Sequence, residues 1–101
     1  MFAGLLKIDS RRRLVRMGNR TLHLTPKELA LLTVLITSPG KVCRREDLLQ
    51  QIWGKEGVFV TLRTVDAHMC KLRQKLRLSD DQQSLAETIW GIGYRLRVPI
   101  A

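Results

Sequence analysis

Ala67, Cys70, Lys71 and Gln74 are spaced so that a helix would carry them on one side. Two of them hold groups that distinguish base pairs: an ammonium suits guanine O6 and N7, and a primary amide suits adenine N6 and N7. Ala67 contributes by being small, letting a backbone approach a groove floor and offering a methyl to a thymine methyl. Cys70 completes the face. Arg63 and Thr64 stand at the start of the same segment, where side chains and helix N-terminal N–H groups together suit phosphate oxygens. Arg73 and Lys75 lie on its flanks and also suit the phosphate backbone. His68 sits at the border; as a neutral imidazole it either packs and hydrogen bonds or touches a phosphate. Opposite these residues, Val65, Met69, Leu72 and Leu76 fall within about 60° of one another at about 100° per residue, the pattern of a buried seam. The spacing predicts a helix over 63–77, with five Lys or Arg against one acid, Asp66.

A second set follows at Thr88-Ile-Trp-Gly-Ile-Gly-Tyr-Arg-Leu96. Gly91 and Gly93 suit a tight tip between two strands. Trp90, Arg95 and Arg97 then suit a minor groove or its phosphates. Strand alternation places Tyr94, Leu96 and Val98 on one face, with Tyr94 as a core anchor, and Arg95 and Arg97 on the other. The alternative is a purely structural sheet that closes the core.

The whole chain favours the same chemistry. It has 101 residues, 45% of them apolar, and 18 Lys and Arg against 9 Asp and Glu, for a net charge of +9. That is enough for one modest core over residues 1–101 and argues against disorder. The charge favours a polyanionic partner, with duplex nucleic acid ahead of an anionic membrane surface. No apolar run reaches the ~18 residues of a membrane span, and Met-Phe-Ala-Gly-Leu-Leu-Lys is too short and too soon charged for a signal peptide. A cytoplasmic protein is expected. Cys43 and Cys70 have no metal-ligand spacing and would stay reduced there, one half-buried and one a small helix-surface residue, with redox sensing as the alternative. His23 and His68 have no nucleophile or carboxylate partner in reach, since Asp66 and His68 at i and i+2 face apart on a helix. No enzyme and no cofactor are expected.

The elements that must hold these residues have their own signals. Residues 5–8, 13–17 and 20–24 alternate as strands, with Gly18-Asn19 as a hairpin pair. Arg11, Arg12, Arg13, Arg16 and Arg20 crowd this sheet, either guarding its edges or facing DNA or a partner. Thr25-Pro26-Lys27-Glu28 is a capping box with proline at the first helical position, and the helix runs to about Thr37. Leu29, Leu32, Thr33 and Ile36 mark its core face, widened by Leu35, and Ser38-Pro39-Gly40 ends it. After a short extended link at Val42 and Cys43, a second helix over Arg45–Trp53 carries Leu48, Leu49, Ile52 and Trp53. Residues 54–61 form a loop with Lys55, Glu56, Val58, Phe59 and Val60, apolar enough either to pack back on the core or to dock a protein. A polar connector over 78–84 leads to strands over 86–90 and 94–98, stopped by Pro99. The predicted class is α+β: an N-terminal antiparallel sheet, a three-helix core and a C-terminal β-hairpin wing.

Four stretches together resemble the OmpR/PhoB-type response-regulator effector domain over about residues 5–98: Thr25-Pro-Lys-Glu-Leu with Leu31-Leu32; Arg45-Glu-Asp-Leu-Leu with Ile52-Trp53-Gly54; Arg63-Thr-Val-Asp-Ala-His-Met with Leu72-Arg-Gln-Lys-Leu76; and Ile89-Trp-Gly-Ile-Gly-Tyr-Arg95. The resemblance implies a winged helix-turn-helix transcription factor. By position, it puts residues 63–77 in the major groove and Trp90, Gly91, Gly93 and Arg95 at the adjacent minor groove. It puts Lys55, Glu56, Val58 and Phe59 in a loop that contacts RNA polymerase. It also implies dimers on direct repeats, assembled through a receiver domain that usually precedes the effector domain and is absent from these 101 residues. Three features depart from the family. Trp90 stands where an arginine is common, removing a charge suited to a narrow minor groove. Cys70 and Lys71 replace paired arginines, weakening bidentate guanine reading at the first. Arg44 replaces the serine that caps the second helix. The alternative to sequence-specific duplex binding is a winged-helix protein-interaction module with nonspecific nucleic-acid affinity.

Overall fold

In the computed structural model, which describes residues 2–3, 5–55, 60–78 and 83–97, the chain opens with a four-stranded antiparallel sheet. Its strands are β1 (Phe2–Ala3), β2 (Leu6–Asp9), β3 (Leu14–Met17) and β4 (Arg20–Leu22), neighbours in sequence order. Three strands were expected from the alternation; β1 is the addition, and two residues are too few to show a period. Gly18 takes φ 61° in the two-residue turn that sets Met17 opposite Arg20. Leu6, Ile8, Val15, Met17 and Leu22 are buried beneath this sheet.

Helix α1 spans Pro26–Thr37, as its capping box predicts. The Glu28 N–H donates to Thr25 Oγ1 at 3.2 Å, and the Thr25 N–H donates to Glu28 Oε1 at 3.0 Å. Its buried face is Glu28, Leu31, Leu32, Leu35 and Ile36, rotated from the expected one, with Leu29 and Thr33 only half-buried. The cause is tertiary: α1 packs on two other helices and a strand, so its apolar arc is wider than one stripe.

Residues Cys43–Arg44 form β5 and lead directly into α2 (Arg45–Trp53), which is followed by α3 (Leu62–Lys75). All four residues of the predicted α3 seam, Val65, Met69, Leu72 and Leu76, are fully buried. The helix stops two residues before the expected Arg77, because Leu76 is its C-cap and Arg77 bridges to Ser84. The hairpin is β6 (Ala86–Ile89) and β7 (Gly93–Leu96). It is not a bare hairpin, because β5 pairs with β7 and gives a three-stranded sheet of order β5-β7-β6. The expected extension of the last strand to Val98, its stop at Pro99 and residues 79–82 of the connector lie outside the described residues. Three helices thus follow one antiparallel sheet and precede the hairpin of a second in a winged-helix arrangement, around one core to which β2, β3, β4, all three helices, β6 and β7 contribute. No described helix is long and apolar enough to cross a membrane.

Candidate nucleic-acid interface

Burial of the α3 seam turns Arg63, Ala67, Cys70, Lys71 and Gln74 outward, and all five are exposed, while Thr64 is half-buried. The Gln74 amide donates to Cys70 Sγ at 3.8 Å. At the start of α3, Thr61 makes no side-chain cap, so no side-chain oxygen from the N-cap competes with an incoming anion for the first-turn N–H groups. His68 faces inward. Its Nδ1 lies 2.8 Å from the Thr64 carbonyl oxygen, which only accepts, so Nδ1 carries the proton. Its ring meets Trp53 edge-on, with centroids 5.2 Å apart, so it joins α3 to α2 rather than reaching outward to a phosphate.

Three other predicted contacts are placed differently from expectation. The Lys75 ammonium lies 2.6 Å from Glu28 Oε1 and donates to the His23 carbonyl at 3.0 Å, which commits it to the α1 side. Gly93 is buried: a Cβ there would stand 2.0 Å from the Cys43 carbonyl oxygen, so its glycine serves the close approach of β5 and not a groove contact. Arg95 Nε donates to Glu87 Oε1 at 2.6 Å, across the strand pair. Arg97 approaches the same carboxylate at 3.6 Å and donates to the Ser84 carbonyl. The hydrogen bond from Arg95, opposed by burial and assisted by both guanidinium charges, holds Glu87 below the usual glutamate range. Arg63, Lys71 and Arg73 keep their exposure on the outer side of α3. Lys55 is exposed; Glu56, Val58 and Phe59 lie outside the described residues.

The helix and the wing are joined by a cluster that no local spacing announces. Arg45 donates to both Asp66 oxygens, from Nε at 3.0 Å and from Nη2 at 2.5 Å, and the Tyr94 hydroxyl donates to Asp66 Oδ1 at 2.7 Å. Burial alone would raise the Asp66 pKa. The hydrogen bonds from Arg45 and Tyr94 and the Arg45 charge outweigh it and hold the carboxylate ionised below its ordinary range. Tyr94 is pushed above the usual phenol range by its burial and then by its bond to Asp66, so it stays a donor. The cluster fixes the start of α2, the second turn of α3 and β7 in one frame. Between α3 and the wing this leaves an open cleft of about 330 Å³, lined among others by Arg45, Asp66, Cys70, Arg73 and Trp90. Among the described residues, no group of three or more His, Cys, Asp or Glu converges as a metal site would require.

Residues 19–96 match the protein family described as "Transcriptional regulatory protein, C terminal". Over 94 residues the chain is 43% identical to the transcriptional regulatory protein SrrA of Staphylococcus aureus, covering 92% of this chain and 39% of that protein. It therefore spans about two-fifths of the length of that curated relative. Among solved structures it resembles the DNA-binding domain of response regulator AdeR in complex with an intercistronic region, with a TM-score of 0.80 and 30% identity over 95% of this chain and 97% of that one. It also resembles the DNA-binding domain of Bacillus subtilis CssR, with a TM-score of 0.74 and 34% identity over 91% of this chain and 99% of that one.

Proposed function

Because the chain belongs to the OmpR/PhoB-type family of transcriptional regulatory C-terminal domains, which regulate transcription by binding DNA and are not enzymes, we propose that it reads specific duplex sequences, with α3 in the major groove and the β6–β7 wing at the adjacent minor groove. The observation that carries this reading is the outward face of α3. Lys71 and Gln74 stand there as base readers beside the small Ala67 and Cys70, with Arg63 and Arg73 exposed around them for phosphates. The cleft between this face and the wing gives the DNA backbone a place to run. In this reading the protein acts in the cytoplasm and binds as a pair on direct repeats. The loop that begins at Lys55 then meets RNA polymerase.

Selection of bound sequences from a random duplex pool tests the proposal. The expected result is an enriched motif bound roughly 10³-fold or more tightly than unselected DNA, with Lys71→Ala and Gln74→Ala each relaxing the preference at one position. A pool that stays random at moderate salt would sink the specific reading. It would leave a winged-helix module that holds a protein partner and touches nucleic acid without regard to sequence.

A further inference from the structure

The outermost part of the wing carries no charge. Ile89 to Ile92 form a tight turn in which the Ile92 N–H donates to the Ile89 carbonyl at 3.0 Å and Gly91 takes φ 79°. This turn presents Trp90 at 88% exposure and Ile92 at 50%, two of the three large apolar side chains exposed among the described residues. It is also braced from behind. The Arg45 N–H donates to the Ile92 carbonyl at 3.3 Å, and Gly93 is wedged against the Cys43 carbonyl, so the tip does not fold back to cover its indole. The nearest wing cations, Arg95 and Arg97, lie along the strand with Glu87 between them. Trp90 meanwhile lines the same cleft as Cys70 and Arg73 of α3, which makes the apolar tip continuous with the cationic reading face.

We propose that Trp90, supported by Ile92, enters the minor groove as an uncharged wedge, so that the wing selects a deformable pyrimidine–purine step rather than a narrow A-tract. A cation at the tip would gain from the strong negative potential of a narrow groove, whereas an indole gains nothing from it and needs room. A flat apolar side chain gains instead by contact with sugars and partly unstacked bases, and TA and CA steps unstack at least cost. This inference rests on the placement of the wing at the minor groove, but its step preference is separable from base reading by α3.

The test measures binding of wild-type, Trp90→Ala and Trp90→Arg chains to short duplexes carrying the selected motif, with the step beneath the wing either TA or the middle of an adenine run. Each titration is repeated over a range of salt. Trp90→Ala is expected to weaken the TA duplex about tenfold, to erase the preference for TA and to leave the salt slope unchanged. Trp90→Arg is expected to steepen the slope by about 0.9 and favour the adenine run. Wild-type affinity in Trp90→Ala, or a TA preference that survives in it, would overturn the wedge. If Lys71→Ala kept the motif while Trp90→Ala lost the step preference, the α3 assignment would fall and the wedge would stand. Indole fluorescence gives a readout that needs no motif, because Trp53 is only 4% exposed. Acrylamide quenching should therefore report Trp90, and any bound duplex should protect it; quenching undiminished at saturating duplex would also overturn the wedge.

Discussion

Tyr94 and Glu28 are both buried, and each spends its polar atom on another element. Removing the Tyr94 hydroxyl with Tyr94→Phe deletes a hydrogen bond to a charged acceptor while leaving Asp66 its two bonds from Arg45. Urea unfolding should show a loss of about 1.5 kcal/mol, with weaker DNA binding as the wing loosens relative to α3. Burial would raise the Glu28 pKa, but the Lys75 hydrogen bond, the Thr25 N–H and the charges of Lys75 and His68 outweigh it and hold the carboxyl below the usual glutamate range. A carboxylate with a depressed folded-state pKa stabilises the fold above its unfolded value, and that stability is lost as pH falls through the folded value. Asp66 and Glu87 are lowered as well. Urea midpoints should therefore hold steady above about pH 4.5 and fall below it. Glu28→Gln should flatten part of that fall, and at neutral pH should cost about 1–2 kcal/mol, a figure discounted because Lys75 is partly solvated. An acid limb identical in wild type and Glu28→Gln would show that Glu28 contributes none of it.

At the scale of elements, the helices were the most legible part of the chain. Thr25, Pro26 and Glu28 announce the start of α1, and the Val65, Met69, Leu72 and Leu76 seam sets the rotation of α3, because both signals are local and repeat with the helical period. The face of α1 was less legible, since three neighbouring elements decide what it buries. The strand β1 left no signal because two residues cannot show alternation, and β5 showed only as a short extended link at Val42 and Cys43, with no hint of its partner. Lys75 and Arg95 looked like DNA contacts for a related reason: their partners, Glu28 and Glu87, are brought close by tertiary packing and by hairpin register, which charge counting does not see. Capping gives the test here. Thr25→Ala should cost about 1 kcal/mol. Arg44 caps α2 without a side-chain bond and places a cation at a helix N-terminus. Arg44→Ser should therefore stabilise by about 0.5–1 kcal/mol, since the Arg44–Glu46 pair it removes is exposed and worth little. A lower melting temperature in Arg44→Ser would refute this.

For the whole molecule, a net charge of +9 sets how binding responds to salt. Each phosphate neutralised contributes about −0.9 to the slope of log K against log salt. Arg63→Ala and Arg73→Ala should each make the slope shallower by roughly that amount. Lys75→Gln should leave it unchanged and reduce stability instead, because that ammonium is bound to Glu28. A slope that moved with Lys75 would return it to the DNA contacts. The pairing of β5 with β7 matters in another way, during synthesis. Cys43 and Arg44 find their partners Tyr94 and Gly93 only about fifty residues later. A chain emerging from the ribosome exposes β5 as an unpaired edge, and the start of α2 lacks its frame, until β7 has been made. A copy truncated before the wing would therefore lose the frame of α3 along with the wing.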